Sequence, residues 1–139
     1  MSTELKLTPV TAFDNYEIIA YEPGKTVIKS VVGENALNPY GMIHGGCLYT
    51  LCDYTAGITA YSLGSVSVTL QSNINYIKPS YKDDVLYVES ICIHNGKSTK
   101  IIETKIKNEK QEIICSASFT MYHIKGLFKT AFLMCLDLL

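Results

Sequence analysis

His44-Gly45-Gly46-Cys47-Leu48-Tyr49-Thr50-Leu51-Cys52-Asp53-Tyr54-Thr55-Ala56-Gly57-Ile58-Thr59-Ala60-Tyr61 is the stretch that decides the fold. Leu48, Leu51, Cys52, Thr55, Ile58 and Thr59 recur at intervals of three and four, the period of an α-helix running from His44 to about Tyr61. Its other faces are apolar too, and a helix hydrophobic nearly all round has to be buried. Gly45, Gly46, Ala56, Gly57 and Ala60 leave room for a sheet to wrap closely around it. Within this stretch stands Asp53, the one formally charged side chain between Glu34 and Lys78. A carboxylate deprived of water in an apolar segment is costly, so a sequence that keeps one there has a partner or a reaction for it.

On the amino-terminal side, Leu7 to Asp14 suits a short helical lead-in. Tyr16 to Tyr21 and Lys25 to Val32 then read as a hairpin turning at Glu22-Pro23-Gly24. Gly33 to Met42 contains Asn35, Asn38, Pro39 and Gly41, the chemistry of a loop. Beyond the helix the period falls to two. Val66, Val68, Leu70, Ile74 and Tyr76 alternate with Ser65, Ser67, Thr69, Gln71, Asn73 and Asn75 until Pro79, a pattern that puts Thr69 on the polar side of a long strand. Val85 to His94, Thr99 to Lys107 and Ile113 to Ile124 give three more strands, joined at Asn95-Gly96-Lys97 and Asn108-Glu109-Lys110. The expected architecture is α+β, an antiparallel sheet that meanders after, and wraps around, one long central helix. No repeat, linker or low-complexity segment divides the chain.

At 139 residues, with 47% hydrophobic and 18% charged, the chain suits one globular domain with its own core. Twelve basic against thirteen acidic residues leave a formal charge of -1 and no electrostatic footprint for nucleic acid. Cys47, Cys52, Cys92, Cys115 and Cys135 lack metal-ligand or C-x-x-C spacing, which fits reduced core thiols and a cytoplasmic protein. The three histidines are too scattered to suggest a metal site. No leader sequence and no run long enough to span a bilayer is expected. The apolar tail 126–139 is set apart from a domain over 1–125, as a packed helix or a poorly ordered end, with a membrane-surface anchor as the other reading.

Asn38-Pro39-Tyr40-Gly41-Met42-Ile43-His44-Gly45-Gly46, followed by Leu51-Cys52-Asp53 and Ala56-Gly57, resembles the motif of hotdog-fold acyl-CoA thioesterases of the phenylacetic-acid-degradation (PaaI-type) subfamily. The resemblance runs from about Phe13 to Lys125 and takes in Val68-Thr69-Leu70, Asn75-Tyr76-Ile77-Lys78-Pro79 and Gly96-Lys97-Ser98. Only the tail departs from it. The resemblance implies hydrolysis of an acyl-CoA ester by a homodimer that assembles into a homotetramer. Coenzyme A is then part of the substrate, and no separate cofactor or metal is needed.

The residues support that chemistry independently. Thioester hydrolysis needs a donor for the negative charge growing on the carbonyl oxygen and a base or nucleophile on the far side of the carbon. Gly45 and Gly46, at a helix start, offer open N–H groups and the positive end of the helix dipole. Asp53 lies nine residues beyond His44, roughly 13 Å along the helix axis, too far to reach a carbonyl held at Gly45 within one chain. The resemblance implies an active site across a dimer interface, with Gly45 as oxyanion donor from one chain and Asp53 from the other. Whether Asp53 attacks or activates water is open in the sequence. By the same resemblance, His44 orients, the Asn38 amide lies near the thioester or the attacking water, and Thr69 helps to position water.

Each assignment has a plainer competitor: a structural hydrogen bond for Asp53, a loop brace for His44, a turn for Asn38 and an exposed hydroxyl for Thr69. For the coenzyme, the resemblance points to Gly96, Lys97 and Ser98, with Tyr76 and His123 as weaker carry-overs. Lys78, Lys100 and Lys125 are the other candidate cations, surface lysines that solvent alone would explain. Two rivals to the hydrolase remain. A hotdog dehydratase calls for a catalytic His paired with an acid in a different motif, and a non-catalytic acyl-CoA sensor has no use for Asp53.

Overall fold

Strand β1 (Tyr16–Glu22) and strand β2 (Lys25–Val31) form the expected hairpin, turning through Gly24 at φ 80°, a conformation that only glycine adopts without strain. The computed structural model describes residues 9–125. A single 3-10 turn, Glu34–Ala36, interrupts the loop that leads to α1 (Gly45–Ser62). Four longer strands follow: β3 (Ser67–Tyr76), β4 (Val85–Asn95), β5 (Thr99–Asn108) and β6 (Ile113–His123).

The six strands form one sheet in the order β1-β2-β4-β5-β6-β3, every pair antiparallel. Strands β4, β5 and β6 meander as read from the sequence. Strand β3 does not precede β4 in the sheet. The inner side of β4 is paired with all seven residues of β2, so β3 takes the far edge beside β6 and the chain crosses the sheet to reach β4.

The sheet curls around α1, whose Leu48, Leu51, Cys52, Ala56 and Ile58 meet Ile28, Leu86, Val88, Ile102, Ile106 and Phe119 in one core. Thr55 and Thr59 are buried with them because each hydroxyl donates back to the carbonyl four residues earlier, Leu51 O at 2.6 Å and Thr55 O at 2.9 Å. Thr59 also meets Thr26 Oγ1 at 3.0 Å, and Thr26, Ser90 and Thr104 lie side by side on β2, β4 and β5. The buried polar row is satisfied internally, so the helix sits at a fixed place on the sheet.

The expected helical lead-in is absent over its described part, Pro9 to Asp14. That segment spends its backbone groups elsewhere: the Thr11 N–H donates to Asn35 O at 3.1 Å, and the Cys47 thiol reaches Thr11 O. Phe13 then packs edge-on against Tyr16 and tilted against Tyr54. The apolar tail lies outside the described residues. No helix among the described residues is long and apolar enough to cross a membrane.

Candidate active site

The start of α1 is built by its own loop. The Asn38 side-chain oxygen Oδ1 accepts from the N–H groups of Tyr40 (2.9 Å) and Met42 (3.1 Å), closing the turn that aims the chain at the helix. Its amide nitrogen has no partner among the described residues. His44 N–H donates to Ala36 O at 2.7 Å, and the His44 carbonyl accepts from Cys47 and Leu48. As the N-cap, His44 also accepts the Gly46 N–H on Nδ1 at 3.1 Å. This corrects the expectation of two open amides: Gly46 is capped, and the Gly45 N–H alone is left without a partner among the described residues.

Three rungs join α1 to β3. Tyr76 Oη donates to Gly45 O at 3.0 Å, the Tyr49 hydroxyl meets that of Ser72, and Thr69 Oγ1 donates to Asp53 Oδ1 at 2.7 Å. Gly45, Tyr49 and Asp53 are spaced by four and so share one stripe of the helix. Tyr76 and Ser72 are likewise spaced by four on their strand, but Thr69 is three residues from Ser72. A bulge accounts for the difference: Thr69 pairs with Met121 and Gln71 with Thr120, which leaves Leu70 as an extra residue without a partner on β6. The bulge turns Thr69 to the helix side. Its placement with Gln71, Asn73 and Asn75 on the polar side, expected from the alternation, is therefore corrected.

Asp53 is exposed in the single chain rather than enclosed by apolar neighbours, and the Thr69 bond holds one of its oxygens. From Gly45 to Asp53 is eight residues, about 12 Å of helix rise, so donor and carboxylate are on one face but at separate points. A groove of about 600 Å³ borders His44, Gly46, Cys47 and Thr50, and another of about 670 Å³ opens under β1 beside Tyr16, Lys29 and Tyr54. Neither is lined by Gly45 or Asp53.

The third group of expected residues lies beyond the other end of the helix. Gly96 N–H donates to Thr99 O at 2.9 Å and His123 N–H to Ser98 O at 2.8 Å, so Gly96, Lys97, Ser98 and His123 form one corner of the sheet. A side chain at Gly96 would put its Cβ 2.8 Å from Thr99 O and 2.7 Å from His94 Nε2, which explains the glycine. His94 sits beside Gly96, and Tyr49 and Ser72 form the middle rung between α1 and β3, although neither periodicity nor motif singles any of the three out. Of the candidate cations, Lys78 is ion-paired with Glu112, which lowers the Glu112 carboxyl below its usual range. Lys100 is only 5% exposed, correcting its reading as a surface lysine, because its position on β5 faces inward with Ile102 and Thr104. Lys97 and Lys125 remain exposed. No group of three or more His, Cys, Asp or Glu among the described residues is placed to hold a metal.

Removing the Thr69 hydroxyl isolates its contribution. Thr69→Val keeps the shape and deletes the donor, and should lower turnover about tenfold with the fold intact, as expected for one hydrogen bond to a charged group. Thr69→Ser should recover most of the loss, with both variants checked by steady-state kinetics and thermal melts.

A single helix wrapped by an antiparallel sheet, with an open amide at the helix start and a hydroxyl-held carboxylate farther along it, defines a hotdog-fold protein of the PaaI type. Residues 40–115, over half of the chain, match the thioesterase superfamily, and the chain belongs to that family. It is 31% identical to the 1,4-dihydroxy-2-naphthoyl-CoA hydrolase of Listeria monocytogenes over 76% of this chain and 87% of that one. To the acyl-coenzyme A thioesterase PaaI of Escherichia coli it is 28% identical over 79% of each. A hypothetical thioesterase protein of Streptococcus pneumoniae, solved with coenzyme A, superposes with a TM-score of 0.81 at 43% identity, over 83% of this chain and 93% of that one.

Proposed function

We propose that this protein hydrolyses an acyl-CoA thioester to the free acid and coenzyme A, at a site formed by Gly45 of one subunit and Asp53 of another. The observation that carries this reading is the pairing of an unclaimed Gly45 N–H at the helix start with an Asp53 carboxylate fixed by Thr69 on the same stripe. The relatives add that the chain is similar to an acyl-coenzyme A thioesterase and to a CoA-ester hydrolase, and that a similar chain was solved with coenzyme A.

The chemistry follows from the groups. The thioester oxygen takes the Gly45 N–H, and its growing charge meets the positive end of the α1 dipole. Asp53 either takes a proton from a water that attacks the carbonyl carbon, or attacks that carbon itself to form a mixed anhydride that water then hydrolyses to the free acid. On either route the C–S bond breaks and the coenzyme thiolate leaves and is protonated. Because donor and carboxylate are about 12 Å apart along one helix, two antiparallel helices are needed to bring one of each to the same carbon. The outer edge of β3 supports a homodimer, the unit from which the expected tetramer would be built. It is a ten-residue edge with no pairing partner among the described residues, and it exposes Val68 and Leu70, a surface that monomers protect. The cytoplasm, where thiols such as the four described free cysteines stay reduced, is the compartment we assign.

A thiol-release screen of the purified protein against aryl-, short-, medium- and long-chain acyl-CoAs tests the activity and fixes the acyl preference. Binding of these esters without release would favour a sensor. Lys97, exposed and beside Gly96 and Ser98, is assigned to the coenzyme phosphates. Lys97→Ala should cost about 1 kcal/mol, raising KM several-fold with kcat nearly unchanged. The effect should shrink with salt and vanish on a truncated thioester that lacks the phosphates. Equal slowing of both esters would move the role to Lys125 or another cation.

A further inference from the structure

We infer that Tyr76 is a positioning residue for the oxyanion donor, and that with His44 it clamps the Gly45–Gly46 peptide so that the Gly45 N–H keeps one direction. The inference rests on the reading of Gly45 as that donor. The carbonyl of this peptide accepts from Tyr76 Oη at 3.0 Å, and its N–H donates to His44 Nδ1 at 3.1 Å. The two contacts hold opposite ends of one planar unit. The preceding peptide is held as well, since the His44 carbonyl accepts from Cys47 at 2.9 Å and Leu48 at 3.3 Å. Its N–H is that of Gly45 and must point away from the helix.

The clamp meets a particular need at this position. Glycine lets a substrate carbonyl approach closely, but it is also the residue with the most backbone freedom, and two adjacent glycines at a helix start are poorly fixed by themselves. An oxyanion donor stabilises charge without reorganising only if it is held in place beforehand. The Tyr76 ring lies against Gly45: a Cβ there would be 3.2 Å from Tyr76 Cζ and 3.4 Å from the hydroxyl oxygen. Partial burial, with Cys115, Cys52 and Tyr49 nearby, pushes the Tyr76 phenol above its ordinary range, so it remains a proton donor to Gly45 O. A residue with this role changes the rate constant for chemistry; a residue gripping the coenzyme changes KM.

The test compares kcat and KM for the acyl-CoA cleaved fastest in the screen and for the matching N-acetylcysteamine thioester. Tyr76→Phe keeps the ring and should lower kcat about tenfold on both esters, with KM within about twofold, the effect of one lost hydrogen bond felt in the transition state. His44→Ala should lose a similar factor, and His44→Asn, which supplies another N-cap acceptor, should recover most of it. Because both side chains hold one peptide, the double variant Tyr76→Phe/His44→Ala should lose clearly less than the product of the single losses. A Tyr76→Phe effect confined to KM of the coenzyme ester, or a fully multiplicative double variant, would overturn the clamp. Wild-type protein that cleaves no thioester would instead remove the proposed function beneath it. Cleavage abolished by Asp53→Asn but untouched by Tyr76→Phe would remove the clamp alone.

Discussion

Asp53→Asn is expected to lower turnover at least about 100-fold while leaving the fold and the melting temperature nearly unchanged, because the amide keeps the size of the carboxylate and loses its basicity. The side chain is exposed in the single chain and makes one hydrogen bond, to Thr69, whose hydroxyl can also donate to an amide oxygen. The loss therefore reads as chemistry and not as unfolding. KM should change little, since the role proposed for Asp53 is at the carbonyl carbon and not at the coenzyme. Near-wild-type turnover in this variant would remove Asp53 from the reaction and leave the Thr69 contact as a structural one.

The second large effect is expected at the helix start. Gly45 is the first residue of α1, the position where proline is best tolerated in a helix, and His44 before it is already extended at φ -64° and ψ 133°, as a residue preceding proline should be. Gly45→Pro thus deletes the donor N–H with limited damage to the helix, although the Tyr76 ring has to shift for the new side chain. Alone, it should be nearly inactive. Mixed in equal amounts with Asp53→Asn chains and allowed to exchange, it should restore about a quarter of wild-type activity. Half of the random dimers are then mixed, and each has one complete site out of two. Folded variants that exchange subunits, shown by native mass spectrometry, yet restore no activity would place donor and carboxylate in the same chain.

Much of this arrangement was legible in the sequence, for a physical reason. The helix from His44 and the strands from Ser65 onward are set by local periodicity, and the turns at Gly24 and Gly96 by backbone demands that few residues meet. The motif around His44, Gly45 and Asp53 is what points to the chemistry proposed for the site. The facing of Thr69 was not legible, because Val68-Thr69-Leu70-Gln71 alternates too regularly to reveal an extra residue, and the bulge depends on how β3 meets β6. The position of β3 at the far edge was hidden as well, since pairing order is set by long-range contacts. Lys100 looked like any other lysine until its place on the inward face of β5 was known. For Asp53, isolation among apolar residues suggested burial, whereas the chain by itself leaves it open on the face turned toward β3.

The central claim is that one thioester is cleaved by groups from two chains, and its most direct measurement is specific activity followed against protein concentration, with mass determined by light scattering on the same samples. The account predicts full activity per chain wherever the protein is dimeric or larger, and a fall that tracks dissociation as dilution produces monomer. Monomeric protein with undiminished activity would contradict it.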